Sequence, residues 1–326
     1  MRRRKFIAGL AAAIAGPFAA AAQQARKVPR VGVLSPGDPP PRDAFRQQER
    51  FEAGLRELGW QPGADIVIEY RYAEGRLDRL PAMAAELASL PVDVIVARGL
   101  TIAPARQATA TIPIVMAADP DPVRSGFVAS LARPGGNITG LTTQALDSEA
   151  KQLELLRGAL PALTRVAVLT NPNSPIHDEQ LQQTQAAARA LGLELTEYPI
   201  SGPDQLSGVF DRMNRAKEGA ALFRGTLWFL DATQVATLVL KHRMPSVHNL
   251  REFPQAGALM SYGVNFAELH RRAAAFVDRI LKGPIRPSCR VEQPTKFGLV
   301  LNLKTAGELG IDLPPTLLAR ADEVIE

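Results

Sequence analysis

The chain has 326 residues, of which 46% are hydrophobic and 22% charged, and this composition is typical of a globular protein with a buried core. The formal net charge of +5 includes four basic residues at positions 2–5, so the remainder of the chain is close to neutral at +1. No dense basic run follows residue 30, which excludes the basic face that a nucleic-acid-binding protein needs. The single Cys289 allows no intramolecular disulfide, and we interpret it as a packing residue.

The first 22 residues have the three parts of a cleavable signal peptide. A basic start at Arg3-Arg4-Lys5 is followed by an apolar stretch to about Phe18 and by the small residues Ala20-Ala21-Ala22. The adjacent arginines are typical of a twin-arginine export signal. A basic tail on an ordinary helix and an uncleaved anchor are the alternatives, although the segment lacks the ~20 apolar residues that span a membrane comfortably. We therefore predict cleavage near Ala22 and a periplasmic location.

The following part of the chain alternates short β-branched runs with amphipathic segments, which predicts a parallel sheet covered by helices on both faces. Strands are predicted at residues 31–34, 66–68, 93–96 and 113–116. The helices between them are predicted from Phe51, Leu55 and Leu58 before Gly59, from apolar residues between 77 and 87, and near residues 101–110. About 304 residues after the signal exceed what one core usually serves, so two lobes are expected.

A second series of the same kind follows the loop at residues 133–137, whose Pro-Gly-Gly interrupts regular structure and makes this loop a candidate hinge. A helix is predicted to end near Gly192, and another, with apolar residues from Phe266 to Ile280, is predicted to end at Gly283-Pro284. The predicted strands of this series are residues 165–169, 193–198, 220–223, 245–247 and 258–261. Two α/β series joined flexibly predict a cleft between two lobes.

Ligands of parallel α/β sheets lie beyond the carboxyl ends of the strands, and this rule nominates the candidate site. In the first series these positions are Ser35, Arg98, Gly99, Asp119 and Asp121. In the second series they are Asn171, Arg224, Thr226, Trp228, His248, Asn249 and Tyr262. Polar and aromatic groups of these types are suited to orienting a small ligand.

Each of these residues also has an ordinary structural interpretation. Ser35 and Asn171 precede prolines, where a turn or a helix cap is as good an explanation as ligand contact. At least one of Asp119 and Asp121 is expected to serve a turn or cap. A cation at the end of a buried strand needs an anionic partner, so Arg98 and Arg224 are each expected to face either a ligand anion or an internal acid.

The sequence contains no recognised catalytic motif. A phosphate-binding G-x-x-x-x-G-K-[ST] loop, H-E-x-x-H and G-x-S-x-G are all absent. The four histidines, at positions 177, 242, 248 and 270, do not have the spacing of metal ligands. We therefore predict no catalytic residues, no metal and no cofactor.

Two long motifs resemble those of a known family. Residues 129–140, ASLARPGGNITG, preceded by Asp121-Pro122-Val123, are similar to the central motif of the ABC transporter substrate-binding proteins, a family that includes tryptophan- and tyrosine-type binding proteins. The closing segment of that family is resembled by residues 292–297, 302–306 and 321–324. The resemblance implies a type I periplasmic-binding fold, with two Rossmann-like lobes, parallel sheets, three crossing strands and a hinge cleft that closes on a ligand.

The resemblance also implies a division of the chain and a function. One lobe comprises residues 28–141 plus 262–286, and the other comprises residues 142–261 plus 287–326. A monomer that captures a small organic molecule and delivers it to an ABC permease is expected. The alternatives are a sensory module that reports to a membrane receptor, because fold does not determine function, and an exported enzyme that uses the same cleft.

The ligand is expected to differ from a simple amino acid. Members that resemble the aromatic amino-acid binders tend to have small hydroxyl or amide residues where this chain has Arg98-Gly99 and Arg224-Gly225. Two arginines suit an acidic or carboxylated aromatic ligand, so the expected ligand is a small organic molecule that is amino-acid-like or carboxylated and aromatic.

Overall fold

The computed structural model describes residues 28–40, 47–143, 145–174, 177–224, 227, 230–283, 289–294 and 296–326. The predicted signal peptide lies outside these residues, as do Thr226 and Trp228. Within the described ranges, no helix has the length and apolar character needed to cross a membrane.

The first half of the chain forms a five-stranded sheet in which every neighbouring pair is parallel, with the order β2-β1-β3-β4-β5. Its strands are β1 (Arg30–Ser35), β2 (Val67–Tyr72), β3 (Val94–Arg98), β4 (Ile114–Asp119) and β5 (Ile138–Thr142). The first four confirm the predicted strands. No strand is predicted from the sequence at β5, because its apolar residues are separated by Thr139 and Gly140. Gly140 adopts φ +135° and passes close to the backbone of Met116.

The second half forms a seven-stranded sheet with the order β12-β11-β10-β9-β8-β6-β7. Its strands are β6 (Arg165–Thr170), β7 (Glu194–Pro199), β8 (Ala220–Phe223), β9 (Ser246–His248), β10 (Met260–Gly263), β11 (Gly298–Asn302) and β12 (Glu323–Ile325). The prediction of a parallel sheet is confirmed from β6 to β10. In contrast, β11 runs antiparallel to β10, and between these two strands the chain crosses to the first sheet and returns.

Helices cover both faces of each sheet. They are α1 (Gln47–Glu57), α2 (Leu80–Ser89), α3 (Ile102–Ala108), α4 (Ala145–Ala159), α5 (His177–Ala190), α6 (Leu206–Arg215), α7 (Ala232–Lys241), α8 (Glu252–Ala256), α9 (Phe266–Leu281), α10 (Leu303–Leu309) and α11 (Pro315–Leu318). Leu58, predicted on the apolar face of the first helix, is 38% exposed, since α1 ends one residue earlier. Separate apolar clusters lie on the two faces of the second sheet, one under α6 and α7 and the other under α4.

Helix α9 follows strand β10 of the second sheet in sequence but packs on the first sheet, against α1 and β4. The two helices approach so closely at Gly54 that a Cβ there would lie 2.3 Å from the carbonyl oxygen of Arg271. At the other end of the contact, the indole Nε1 of Trp60 donates to Asp278 Oδ1 at 2.8 Å. Phe266, at the start of α9, packs against apolar clusters of both sheets. The first sheet is therefore covered by a helix from the second half of the chain.

The predicted hinge at residues 133–137 is wrong. This loop connects β4 to β5, which are paired neighbours in one sheet, so it cannot join two lobes. The chain instead passes between the sheets after β5, between β10 and α9, and before β11. Local chemistry predicts a turn at Pro-Gly-Gly, but it does not say which strands the turn connects.

Strand pairing also bears on the division into lobes. Tyr262 and Gly263 pair with β11 in the second sheet, whereas Glu292 pairs with Leu141 beside the first. We therefore propose a first lobe of residues 28–142, 264–283 and 289–292, with the rest of the described chain in the second lobe. The boundaries at 262 and 287 implied by the resemblance move by a few residues in this proposal.

Candidate functional site

The loops at the carboxyl ends of the first sheet contact the second half of the molecule. Leu100, in the turn after β3, packs against the apolar cluster under α6 and α7. Arg124, in the loop after β4, forms an ion pair with Glu179 in the first turn of α5. These two contacts place the candidate cleft between the carboxyl ends of the two sheets.

Arg224, at the end of β8, forms a buried ion pair. Its Nε lies 3.1 Å from Glu149 Oε1 in α4, and the two side chains are only 1% and 5% exposed. The other carboxylate oxygen of Glu149 accepts a hydrogen bond from Thr184 Oγ1 at 2.5 Å. The sequence left open whether Arg224 faces a ligand or an internal acid, and the structure shows the acid. In the described chain, Nη2 of Arg224 is buried with no hydrogen-bond partner, so one donor nitrogen of the guanidinium is uncommitted.

Arg98 ends β3 at the point where the two halves meet. A tight turn fixes its backbone: Arg98 N–H donates to Thr101 Oγ1 at 2.8 Å, and Gly99 adopts φ +47°. The pKa of His270, in α9, falls to about 3, first because of burial and second because of the positive charge of Arg98. Burial raises the pKa of Glu252, in α8, and the charges of Arg251 and Arg98 oppose that rise. The charge of Arg98 thus lowers the pKa values of side chains from both α8 and α9.

The space beside Arg98 is narrow. A cavity of about 30 Å³ is lined by Ser35, Arg98 and His270, together with tyrosines of β2 and residues of α1. This volume holds about one water molecule, so it does not by itself accommodate a ligand. Ser35 also serves its own turn, because its Oγ accepts the N–H of Gly37 at 3.3 Å.

Asp119 and Asp121 both accept backbone hydrogen bonds in the loop after β4. Asp119 Oδ1 accepts the N–H of Asp121 at 2.9 Å, and Asp121 Oδ1 accepts that of Arg124 at 3.1 Å. Asp121 also pairs with Arg124 Nε at 3.1 Å. Asp119 is buried, and this burial raises its pKa to about 7. Within the described residues, both hydrogen bonds to the Asp119 carboxylate go to Oδ1, the second from Ser125 at 3.4 Å.

The side chains of three other candidate residues contact neighbouring rings or backbone of the protein. His248 lies between the rings of Phe223 and Phe253, each with its centroid 4.4 Å away, and burial lowers the pKa of His248 to about 3. Asn171 Oδ1 accepts the N–H of Asn173 at 3.0 Å in a turn. Tyr262 stacks on Phe297 at 5.8 Å. We therefore leave these side chains out of the proposed ligand site.

Asn249 follows β9 and lines a larger space, which we call the hinge cavity. Its volume is about 400 Å³, and it lies where the chain crosses from β10 to α9 and back to β11. The lining residues are Asn249, Arg251, Ser261, Gly263, Val264, Asn265, Glu268, Leu269, Arg272, Pro294, Lys296, Gly298, Val300, Asp322 and Glu323. No cluster of His, Cys, Asp and Glu in the described residues could hold a metal ion.

The model of the family described as ABC transporter substrate binding protein matches residues 30–325. The chain belongs to this family. A tyrosine-binding protein of Clostridioides difficile is 25% identical to it over 239 residues, which are 73% of this chain and 69% of the relative. The family is one of binding proteins rather than enzymes, so the resemblance of the central and closing motifs, and the prediction of no catalytic activity, are confirmed.

Solved structures confirm the fold of this substrate-binding protein. A conserved domain protein from Vibrio cholerae has a TM-score of 0.83 at 25% identity, covering 91% of this chain and 100% of that one. The ABC domain in complex with L-Trp from a streptococcus has a TM-score of 0.82 at 22% identity, covering 91% and 99% of the two chains. The two-lobed periplasmic-binding architecture predicted from the resemblance is therefore present.

Sequence reasoning missed several residues of this substrate-binding protein. Glu149 carries no local signal, because it lies 75 positions before its partner Arg224. Arg124 and Glu179 lie in polar segments whose sequences are typical of a solvent-exposed surface. Their ion pair depends on how the two halves of the molecule pack together, which the sequence does not show.

Proposed function

We propose that this substrate-binding protein captures an amino-acid-like or carboxylated aromatic molecule between its lobes in the periplasm. The closed monomer then delivers the molecule to the permease of an ABC importer. Family membership supports the binding role, and the name of the Clostridioides difficile relative supports an amino-acid-like ligand. The uncommitted Nη2 of Arg224 is the observation that carries the proposal.

The argument for a ligand carboxylate starts from the cost of that buried nitrogen. A buried donor without a partner costs about 1–3 kcal/mol, and a carboxylate oxygen placed against it removes this cost. Glu149 holds the guanidinium through Nε, so the plane of the group is fixed before a ligand arrives. Preorganised donors of this kind lose little entropy on binding. Arg98, at the end of β3, supplies a second positive charge from the first lobe.

The argument for an amine on the same ligand comes from Asp119. Its carboxylate is buried at the end of β4, and Oδ1 receives the hydrogen bonds from its own loop. An ammonium group near Oδ2 would compensate the buried negative charge. A ligand with an amine and a carboxylate therefore satisfies both lobes at once. Because such a ligand binds the closed state better than the open one, it shifts the population toward closure.

Calorimetric titration of residues 23–326 with L-tyrosine, L-tryptophan and aromatic carboxylates tests the ligand class. Arg98→Gln and Arg224→Lys should each weaken binding by well over tenfold, and Arg224→Lys keeps a cation beside Glu149. Arg133→Gln, at an exposed loop position, is the matched control and should leave the affinity unchanged. Unchanged affinity in both test variants would remove the proposed contacts.

Two further measurements separate transport from its rivals. Loss of ligand uptake in a deletion strain supports delivery to an importer, whereas loss of a cellular response alone supports a sensor. Mass spectrometry of the recovered ligand checks for turnover, and an unchanged ligand agrees with a binding protein.

A further inference from the structure

Gln152, on the buried side of α4, hydrogen-bonds to two strands of the second sheet. The residue is 1% exposed. Its Nε2 donates to the carbonyl oxygen of Tyr262 in β10 at 2.6 Å and, over a longer distance of 3.4 Å, to that of His248 in β9. An amide nitrogen carries two hydrogens, so one is available for each carbonyl. A single side chain thus joins a helix to two neighbouring strands.

These carbonyls lie where β10 leaves the second sheet. The residue pairs between β9 and β10 end with His248 and Ser261, so Tyr262 lies one residue beyond them. Gly263 follows, and the chain then crosses to α9, which packs on the first sheet. The amide of Gln152 therefore holds β10 at the point where its pairing with β9 has stopped and the chain leaves the second lobe.

The three chain crossings between the sheets are tied to one another. The first crossing, after β5, is joined to the third, before β11, by a hydrogen bond from the N–H of Thr142 to the carbonyl oxygen of Glu292 at 3.0 Å. The second crossing, between β10 and α9, is joined to the third by the antiparallel pairing of β10 with β11. Because α4 begins just after the first crossing, the bond from Gln152 to Tyr262 ties the second crossing to the first.

The oxygen of the same amide shows that packing alone does not account for Gln152. Its Oε1 is buried and has no hydrogen-bond partner among the described residues. Reversing the amide would place this oxygen against two carbonyl oxygens, which also only accept. A buried acceptor without a partner costs free energy, and a methionine of similar length would fill the space without that cost. The position therefore requires the donation by Nε2.

Helix α4 also positions the arginine of the proposed ligand site. Glu149 lies three residues before Gln152, on the same side of the helix, and pairs with Arg224 at 3.1 Å. The second crossing leads into α9, which packs against β4, the strand that ends at Asp119. The direction in which β10 leaves the second lobe therefore sets where Asp119 stands relative to Arg224.

We propose that Gln152 is a positioning residue for lobe closure, which holds the second crossing in the direction that brings Asp119 and Arg224 to one ligand. The residue acts through β10 and does not contact the ligand, and this inference rests on the proposed interlobe binding function. Hinge motions are concentrated in a few residues, so loss of this anchor lets the ligand-free protein adopt more open arrangements. The apparent affinity then falls with the fraction of molecules that are ready to bind.

Gln152→Met tests this role in ligand-free protein of residues 23–326. Small-angle scattering should show a larger radius of gyration than in the unmodified protein. Hydrogen–deuterium exchange of a peptide covering residues 260–266 should be about fivefold faster relative to a peptide covering β8. Because methionine removes the unpaired Oε1 together with the donor, the melting temperature should change little. Gln152→Asn, which is one methylene too short to reach Tyr262, is the second variant and should show the same two changes.

Leu156→Ala is the matched control in the same helix. Leu156 is buried in the apolar cluster under α4, so its truncation should lower the melting temperature. It leaves the bonds of Gln152 in place, and the radius of gyration and the exchange ratio should therefore match those of the unmodified protein. The same changes in Leu156→Ala as in the Gln152 variants would overturn the proposal, since general damage to α4 would then explain them.

Calorimetric titration with L-tyrosine adds the effect on binding. Gln152→Met should bind about three- to tenfold more weakly, and its radius of gyration at saturation should equal that of the unmodified protein. An unchanged ligand-free radius together with an unchanged exchange ratio in both Gln152 variants overturns the proposal. Failure of L-tyrosine to bind the unmodified protein counts against the proposed ligand instead, because the scattering and exchange measurements need no ligand.

Discussion

Replacing Glu149 by glutamine should destabilise the second lobe strongly. The substitution keeps the shape of the side chain and an oxygen that can accept from Thr184, but it removes the negative charge beside Arg224. Removing one partner of a buried ion pair costs about 3–5 kcal/mol, since the remaining charge is left uncompensated. With the two side chains 1% and 5% exposed, solvent does not screen the loss. For a lobe of this size the shift in melting temperature is roughly 6–20 °C.

Differential scanning calorimetry of residues 23–326 measures this loss, and the same helix offers a control. Glu154, also in α4, pairs with Lys151, and these side chains are 49% and 34% exposed. Glu154→Gln should cost at most about 1 kcal/mol, because exposed pairs contribute little. Adding Arg224→Met to Glu149→Gln should recover most of the loss. If Glu149→Gln melts like the unmodified protein, or if Glu154→Gln costs as much, the reasoning from burial is refuted.

Three other predictions follow from contacts described above. Arg124→Ala removes the ion pair with Glu179 that joins the two halves. In the absence of ligand, small-angle scattering should therefore show a larger radius of gyration for this variant than for the unmodified protein. An unchanged radius would contradict a role of this ion pair in lobe closure. Gly54→Ala should disrupt the packing of α1 on α9 and lower the melting temperature. Gly158 in α4 has open space around it, so Gly158→Ala should raise the free energy of unfolding by about 0.5–1 kcal/mol. Because the pKa of Asp119 is raised to about 7, its carboxyl group keeps a proton in the folded state that the unfolded chain loses above about pH 4. This group therefore makes the free energy of unfolding fall as the pH rises from about 4 to 7. Urea unfolding midpoints should fall less steeply with pH across that window in Asp119→Asn than in the unmodified protein, and an identical slope would refute the assignment.

Short apolar runs bounded by turns predicted most of the strands, whereas β5, β11 and β12 were not predicted. Both β3 and β4 are continuous buried runs, and so is β8. The short strand β12 has a polar first residue and one exposed apolar residue, Val324, so it has no such pattern. Its pairing with β11 is what defines it.

The location of the candidate site was predictable from the sequence, but the contacts of the individual side chains were not. The rule for carboxyl strand ends placed Arg98 beside the contact between the two halves and Arg224 at the end of β8, where it pairs with Glu149. It could not distinguish Asn249, which lines the hinge cavity, from His248, whose ring packs between two phenyl rings. Adjacent residues at a strand end point in opposite directions, and only the three-dimensional packing shows which one meets a space.

The docking of α9 on the first sheet has a consequence for synthesis of the chain on the ribosome. The strands of that sheet are complete once β5 has emerged, but the helix that covers β4 and α1 ends only at Leu281. At about 5–20 residues per second, the ribosome needs on the order of ten seconds to add the intervening residues. During that interval the nascent first lobe presents an apolar face to its surroundings. Because α9 follows most of the second series of elements in the chain, the first lobe can complete its fold only after that series has been synthesised. A protein that covers the exposed apolar face is therefore most useful midway through translation.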